Sequence, residues 1–173
     1  ADSRWIGITA DPTGDENTRI YAGLADGPGT DLRELMPAPR SVAHFAEAVD
    51  ASSDFIVTSN QRDKKVFDLY RVNPAGGPPV LLATNPGNVN WWGVDTTGQL
   101  RARAQIQGEQ VLLERPGQEP GNWVAVAERS RWGTLSLARP QDDGRKALAL
   151  ANRGRDKLAL VRLDLTTGGE EEW

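Results

Sequence analysis

Residues 58–77 read TSNQRDKKVFDLYRVNPAGG, and residues 150–169 read LANRGRDKLALVRLDLTTGG. Each is a strand-like end, a charged turn, a second strand-like run and a Gly-Gly stop. Phe67–Val72 and Leu158–Leu165 are short, rich in β-formers or alternating, and bounded by turn residues. Each stretch therefore reads as a β-hairpin, and the same hairpin occurs twice.

Two landmarks extend the repetition to four units. An Asp-led turn precedes a strand at Asp2, Asp50, Asp95 and Asp142, at spacings of 48, 45 and 47 residues. A glycine turn follows each at Gly27, Gly76, Gly117 and Gly168, at offsets of 25, 26, 22 and 26 residues. A period of 40–50 residues with about four short strands per unit is the pattern of β-propeller blades. Within residues 100–106, LRARAQI, period-two alternation excludes a helical repeat: Leu100, Ala102, Ala104 and Ile106 share one face of a half-buried strand, and Arg101, Arg103 and Gln105 the other. Trp5–Thr9, Phe55–Thr58 and Trp123–Ala127 read as strands too. SVAHFAEAVD, 41–50, could pass for a helix but sits where the repeat requires a strand.

The predicted fold is all-β: a partial β-propeller of about four blades, each a four-stranded antiparallel sheet with a period of about 45–49 residues. The blades fall at approximately 1–40, 41–86, 87–129 and 130–173. In the second, Phe55–Thr58 is the second strand, Phe67–Val72 the third and Val80–Ala83 the fourth; Asn90–Val94 opens the next. Inner strands are expected at about 41–49, 89–94 and 131–138. The first blade begins at its second strand, with four residues before Trp5.

Composition bounds the function. The chain has 173 residues and a formal net charge of −4, with an isoelectric point near 5.1. A chain of this length buries roughly 70% of its unfolded surface and needs no covalent staples. It lacks cysteine, so disulfides, thiolate metal sites and cysteine nucleophiles are excluded. Its charge attracts neither nucleic acid nor an anionic membrane. No stretch approaches the ~20 apolar residues of a membrane helix. No leader is visible, and the compartment stays open between the cytoplasm and an exported location.

The stretch FIVTSNQRDKKVFDLYRVNPAGGPPVLLATNPGNVNWWGVDTTGQLRARAQI, 55–106, with its NPGN link, Trp-containing inner strand and RARA strand, resembles a blade from the N-terminal propeller of the prolyl oligopeptidase family of serine peptidases, the dipeptidyl and acylaminoacyl peptidases among them. GDENTRIYAGL, 14–24, resembles the acidic turn and third strand of an earlier blade. GRDKLALVRLDLTTGGE, 154–170, fits in a form shared with TolB-like propellers. The chain departs from that family in lacking a Pro-Asp-Gly turn at 1–4 and 50–54 and in its short third blade. The resemblance implies a non-catalytic ring that gates and orients short peptides for a separate α/β-hydrolase domain. A free-standing TolB-like propeller that binds protein partners is the alternative.

No catalytic residue carries over. None of the seven serines has glycine at both −2 and +2, so there is no nucleophile elbow. A triad needs a histidine base, and the single histidine, His44, reads as a half-buried strand residue. No cofactor or metal site is expected, because one histidine without cysteines supplies too few ligands and no phosphate-binding glycine loop is present. Asp15 and Glu16, in the GDEN turn, are candidate substrate or partner contacts, since carboxylates suit an ammonium; the simpler reading is a solvated turn. Trp91 and Trp92 should pack on opposite faces of an inner strand, with Trp5 and Trp132 also against neighbouring blades. Arg101 and Arg103 should make cross-strand ion pairs rather than an anion site. GGEEEW, 168–173, reads as an outer strand cut short. Open edges predict self-association, as two arcs about a two-fold axis completing a ring of about eight blades.

Overall fold

The computed structural model describes residues 4–50, 52–131, 135–141, 144–152, 154 and 156–173. The expectations for Asp2, Asp142 and Trp132 lie outside them. The described residues form fifteen strands and no α-helix. The strands are β1 (Trp5–Ala10), β2 (Arg19–Leu24), β3 (Arg33–Glu34), β4 (Ala43–Ala48), β5 (Phe55–Ser59), β6 (Asp68–Val72), β7 (Val80–Ala83), β8 (Val89–Val94), β9 (Leu100–Gln107), β10 (Gln110–Pro116), β11 (Trp123–Ser130), β12 (Leu135–Gln141), β13 (Lys146–Ala151), β14 (Ala159–Asp164) and β15 (Glu170–Glu172).

They make four antiparallel sheets, β1-β2-β3, β4-β5-β6-β7, β8-β9-β10-β11 and β12-β13-β14-β15. Every strand pairs with its sequence neighbour, the up-and-down order of propeller blades. The fold is thus all-β, a partial propeller whose first blade has three strands. The chain divides into two compact units. One runs to Gly87 and takes in Thr96–Gly98; the other comprises Asn88–Asp95 and Gln99–Trp173. The first unit holds the first two sheets, and the second holds the last two.

In the first unit, Ile20 and Ala22 of β2 bury against Val57, Tyr70 and Val72 of the second sheet, and Trp5, Phe45 and Phe55 fill the margins. The rings of Phe45 and Phe55 meet edge to face at 5.3 Å. In the second unit, Ala102, Ala104 and Leu113 meet Ala147, Leu163 and Leu165, with Trp91 at the margin. Small residues on one sheet thus face large ones on its neighbour, which lets the sheets interdigitate.

All four glycine landmarks lie between the third and fourth strands of a blade. The Gly27, Gly76, Gly117 and Gly168 N–H groups each close a turn, onto Leu24, Asn73, Asn122 and Asp164 carbonyls. The third blade is short because a two-residue turn, Gly108-Glu109, joins β9 and β10. An outer-strand arginine also reaches the neighbouring sheet's glycine turn in both units. Arg33 donates to the Ala75 carbonyl at 3.1 Å. Arg129 donates to the Gly168 carbonyl at 2.9 Å and pairs with Glu170.

Gly168 has φ +72°, and a Cβ there would stand 2.6 Å from the Val126 carbonyl oxygen. Gly168→Ala should therefore cost about 2 kcal/mol, part from the left-handed backbone and part from displacing β11. Chemical denaturation would check it; a midpoint equal to that of the parent would contradict this packing.

Two expectations need correction. LRARAQI is a central strand covered on both faces, not half-buried: Gln105 is buried with Ala102 and Ala104, and the arginines are capped by carboxylates. His44 is exposed, because it lies on the solvent side of the edge strand β4 with its ring 5.3 Å from that of Phe67. The last inner strand, expected at about 131–138, is described over Leu135–Gln141, with a register shift between Leu137 and Pro140; 132–134 lie outside the described residues.

Candidate functional site

The turn between β1 and β2 carries the two candidate contacts. Its organiser is Asp11, one residue past β1. Asp11 Oδ1 accepts the N–H groups of Thr13, Gly14 and Asp15 at 3.3, 2.9 and 3.3 Å. Its Oδ2 accepts that of Glu16 at 2.9 Å. A carboxylate that gathers successive N–H groups folds the chain around itself. Glu16 is held in the left-handed region at φ +62°.

Asp15 and Glu16 are both exposed, as the solvated-turn reading expected. Hydrogen bonds from the Asn17 side chain, the Thr13 side chain and the Asn17 N–H hold the Asp15 carboxyl at about 2, below its ordinary 3.8. This turn presents the Asp15 and Glu16 carboxyl groups to solvent. It can accept an ammonium or guanidinium through a charge-assisted bond. Among the described residues, no three His, Cys, Asp or Glu side chains gather as metal ligands do.

A cleft of about 340 Å³ lies on the first sheet, lined by Trp5, Ile6, Ile8, Leu24, Leu32 and Arg33 among others. Asp15 and Glu16 are not part of its wall. A second cleft, about 420 Å³, is bounded by Asn90, Trp91, Val111, Arg129, Arg131 and Leu135. Its Arg129 is already committed to Glu170 and Gly168. His44 stands opposite Thr58 in the β4–β5 ladder, not opposite a serine. Neither cleft contains the histidine.

The most elaborate polar network holds the 60–67 turn to the NPGN link. Asp68, at the start of β6, is 0% exposed. Its Oδ1 accepts Arg62 Nη2 at 2.9 Å and the Asn85 N–H at 2.7 Å. Arg62 also donates to the Asn85 carbonyl, and the Asn85 side chain donates to the Phe67 carbonyl. Burial pushes the Asp68 carboxyl up, but hydrogen bonds from Arg62 and Asn85 outweigh it and hold it below the ordinary carboxylate range. The expected pairing of Arg101 and Arg103 is present: Arg103 bonds Glu114 across the β9–β10 ladder and Arg101 bonds Asp95, both at 2.6 Å. These networks are structural.

Asp11 and Asp68 were not among the sequence-predicted residues. Asp11 carried a signal in Asp-Pro-Thr-Gly, an aspartate heading a turn. Asp68 carried none, since an aspartate opening a strand looks like any turn residue.

No protein-family model matches the chain. In sequence it is 26% identical over 168 residues to dipeptidyl aminopeptidase BIII of Pseudoxanthomonas mexicana, a match covering 91% of this chain and 23% of that protein. In structure it is similar to a prolyl endopeptidase, with a TM-score of 0.63 and 14% identity over 98% of this chain and 24% of the other. A puromycin-hydrolyzing peptidase of Mycobacterium tuberculosis gives 0.57 and 19%, covering 90% and 24%. A puromycin hydrolase gives 0.61 and 22%, covering 98% and 26%. The chain thus spans about a quarter of the length of these proteins. The resemblance read from the sequence holds at that level: in sequence and in fold, this chain is similar to the propeller part of prolyl oligopeptidase-type serine peptidases.

Proposed function

We propose that the chain is the non-catalytic propeller of a prolyl oligopeptidase-type serine peptidase, and that it gates and orients short peptides for a separate hydrolase domain. The observation that supports this most is the 168-residue match to a dipeptidyl aminopeptidase, which takes in all four repeat units. The absence of a serine elbow from the sequence agrees with a role outside the chemistry. A ring of blades beside an active site discriminates by size, since a short peptide passes where a folded chain does not.

Two measurements test the reading. The chain by itself should remain unlabelled by a fluorophosphonate probe; stoichiometric labelling would place a reactive serine within it and contradict the proposal. The reading frame that encodes it should continue into a domain with the Gly-x-Ser-x-Gly elbow. The whole product should then cleave a dipeptide arylamide far faster than the same bond in a folded polypeptide, and opening the propeller by mutation should erase that preference. A frame with no hydrolase domain would favour a TolB-like binding module instead.

A further inference from the structure

The second sheet carries a cationic rim where the 60–67 turn meets the link into β4. Three exposed cations lie there: Arg40 on the link, and Lys64 and Lys65 on the turn. The chain as a whole has a formal net charge of −4, so a positive rim runs against its composition. Elsewhere Arg19, Arg71, Arg101, Arg103 and Arg129 each pair with a carboxylate. Arg40 and Lys65 have no such partner among the described residues. The Lys64 ammonium donates to a neutral group, the Pro39 carbonyl, at 3.0 Å. Asp63 is the acid of this turn, and its Oδ1 accepts the Lys65 N–H at 2.9 Å. The two segments are braced together. The side chain of the buried Asn60 accepts the Val42 N–H through Oδ1 and donates to the Lys64 carbonyl through Nδ2. At the base of the turn, the buried Asp68 fixes Arg62. Arg40 itself is held in the left-handed region at φ +51°. Non-glycine residues adopt that conformation rarely, and such strain gathers at ligand clamps and other functional positions.

We propose that this rim binds the carboxylate of a short peptide, with Arg40, Lys64 and Lys65 as its contacts; the choice of ligand rests on the peptide-orienting role proposed above. Such a carboxylate comes from the C-terminus or from an acidic side chain, and the chemistry of recognition is the same. The Arg40 fork takes both oxygens at once, and the two lysines add charge from the facing turn. The surroundings suit a peptide rather than an isolated anion. The acidic turn of the first sheet flanks the same link, because the Ala43 N–H donates to the Thr18 carbonyl at 2.9 Å. Neighbouring turns therefore carry the Asp15 and Glu16 carboxyl groups and the three cations. A short peptide divides its charge in the same way between its ends, so complementarity sets its direction, with the carboxylate over the 62–65 turn. The braced segments need little ordering when the ligand arrives. The cations stay exposed to solvent, so the contact is weak and is screened by salt. Every residue of the rim belongs to the first compact unit.

Titration of the isotopically labelled chain with three tripeptides, followed by amide NMR shifts, tests this. Acetyl-Ala-Ala-Ala has a C-terminal carboxylate, acetyl-Ala-Glu-Ala amide has a side-chain carboxylate, and acetyl-Ala-Ala-Ala amide has neither. At least one of the first two should bind about tenfold more tightly than the third, with shifts centred on residues 40–44 and 60–66. Binding of the first alone assigns the rim to peptide C-termini, binding of the second alone to acidic side chains, and binding of both to carboxylates from either source. Arg40→Asn, which suits a left-handed position, and Lys65→Gln should each weaken binding about threefold. The two together should abolish it while the urea midpoint stays that of the parent. Lys65→Arg should retain binding, and Lys157→Gln, on the matching turn of the second unit, should leave it unchanged. Equal binding of all three peptides would overturn the proposal. So would binding of none, shifts confined to other residues, or indifference to the Arg40 and Lys65 changes. The titration uses this chain alone, so its outcome is separate from the search for a hydrolase domain, which tests the peptidase reading.

Discussion

Replacing Arg62 with alanine should destabilise the first unit at neutral pH and reverse the sign of its pH dependence in acid. The cause is Asp68, whose carboxylate is 0% exposed and faces Arg62. Removing Arg62 leaves the Asp68 carboxylate as a buried charge without its cation, which destabilises the fold, while solvent at the 42% exposed Arg62 side softens the loss. The Asn85 N–H remains on Asp68 Oδ1 and the Tyr70 hydroxyl lies 3.5 Å from Oδ2, which limits the loss further. The parent holds the Asp68 carboxyl below its ordinary range. Its contribution is complete above the unfolded carboxylate value, about 3.9, and is lost as pH falls through the lower folded value. In the variant, burial is no longer outweighed and pushes the carboxyl above its unfolded value. The folded state then binds the proton more tightly, so acidification stabilises the variant relative to its neutral state. Urea midpoints from pH 3 to pH 7 should slope in opposite directions for the two proteins. Parallel slopes would show that Arg62 is not the group that keeps Asp68 ionised. Arg62→Lys, which keeps the charge and loses the planar fork, should fall between them.

This network also shows what a sequence can and cannot disclose. The repeat was legible because its landmarks are residues whose backbone duties are local. Gly168 closes a turn with φ +72°, and Asp95 accepts the Gln99 N–H four residues on. The Gly27, Gly76, Gly117 and Gly168 N–H groups each close a local turn, so the glycine landmark keeps register through four units. The strands were legible through alternation, and Val80–Ala83 falls where the repeat placed it. LRARAQI misled because alternation reports side-chain polarity, not exposure. Arginine in a central strand can be covered once a carboxylate such as Glu114 stands across the ladder. His44 misled in the other direction, since an edge strand leaves one face to solvent and sequence does not show which residues occupy it. The candidate site was legible only in part. The acidic turn announced Asp15 and Glu16, while Asp11, which holds them in place, spends its carboxylate on backbone groups.

Trp92→Ala should be the costliest single truncation on β8, about 3–4 kcal/mol, with Trp91→Ala about 1 kcal/mol milder. The two side chains leave the strand on opposite faces. Trp91 packs against the Ala102, Ala104 and Leu163 cluster at the wall of the larger cleft. Both are mostly buried, as expected, and the part of the Trp91 ring that stays open faces that cleft. Its ring also lies over Gly93, where a Cβ would collide with it. Trp92 is 9% exposed. Its ring centroid lies 6.4 Å from that of Trp123, and the Arg103 guanidinium sits 4.2 Å above the Trp123 ring. Arg103 in turn bonds Glu114, which is 6% exposed. Removing Trp92 thus takes away a large apolar surface and also unseats the aromatic ring under a nearly buried ion pair. A cation on an aromatic face is worth about 0.5–2 kcal/mol according to its desolvation. The Trp92→Ala and Arg103→Met changes should therefore be coupled, with a double-mutant interaction of about 1 kcal/mol. Trp92→Phe should recover more than half of the loss, because a ring still meets Trp123. Urea denaturation followed by circular dichroism measures all four corners of the cycle. If Trp92→Ala unfolded with the parent midpoint while peptide or partner binding failed, Trp92 would be a recognition residue and its packing role would be wrong.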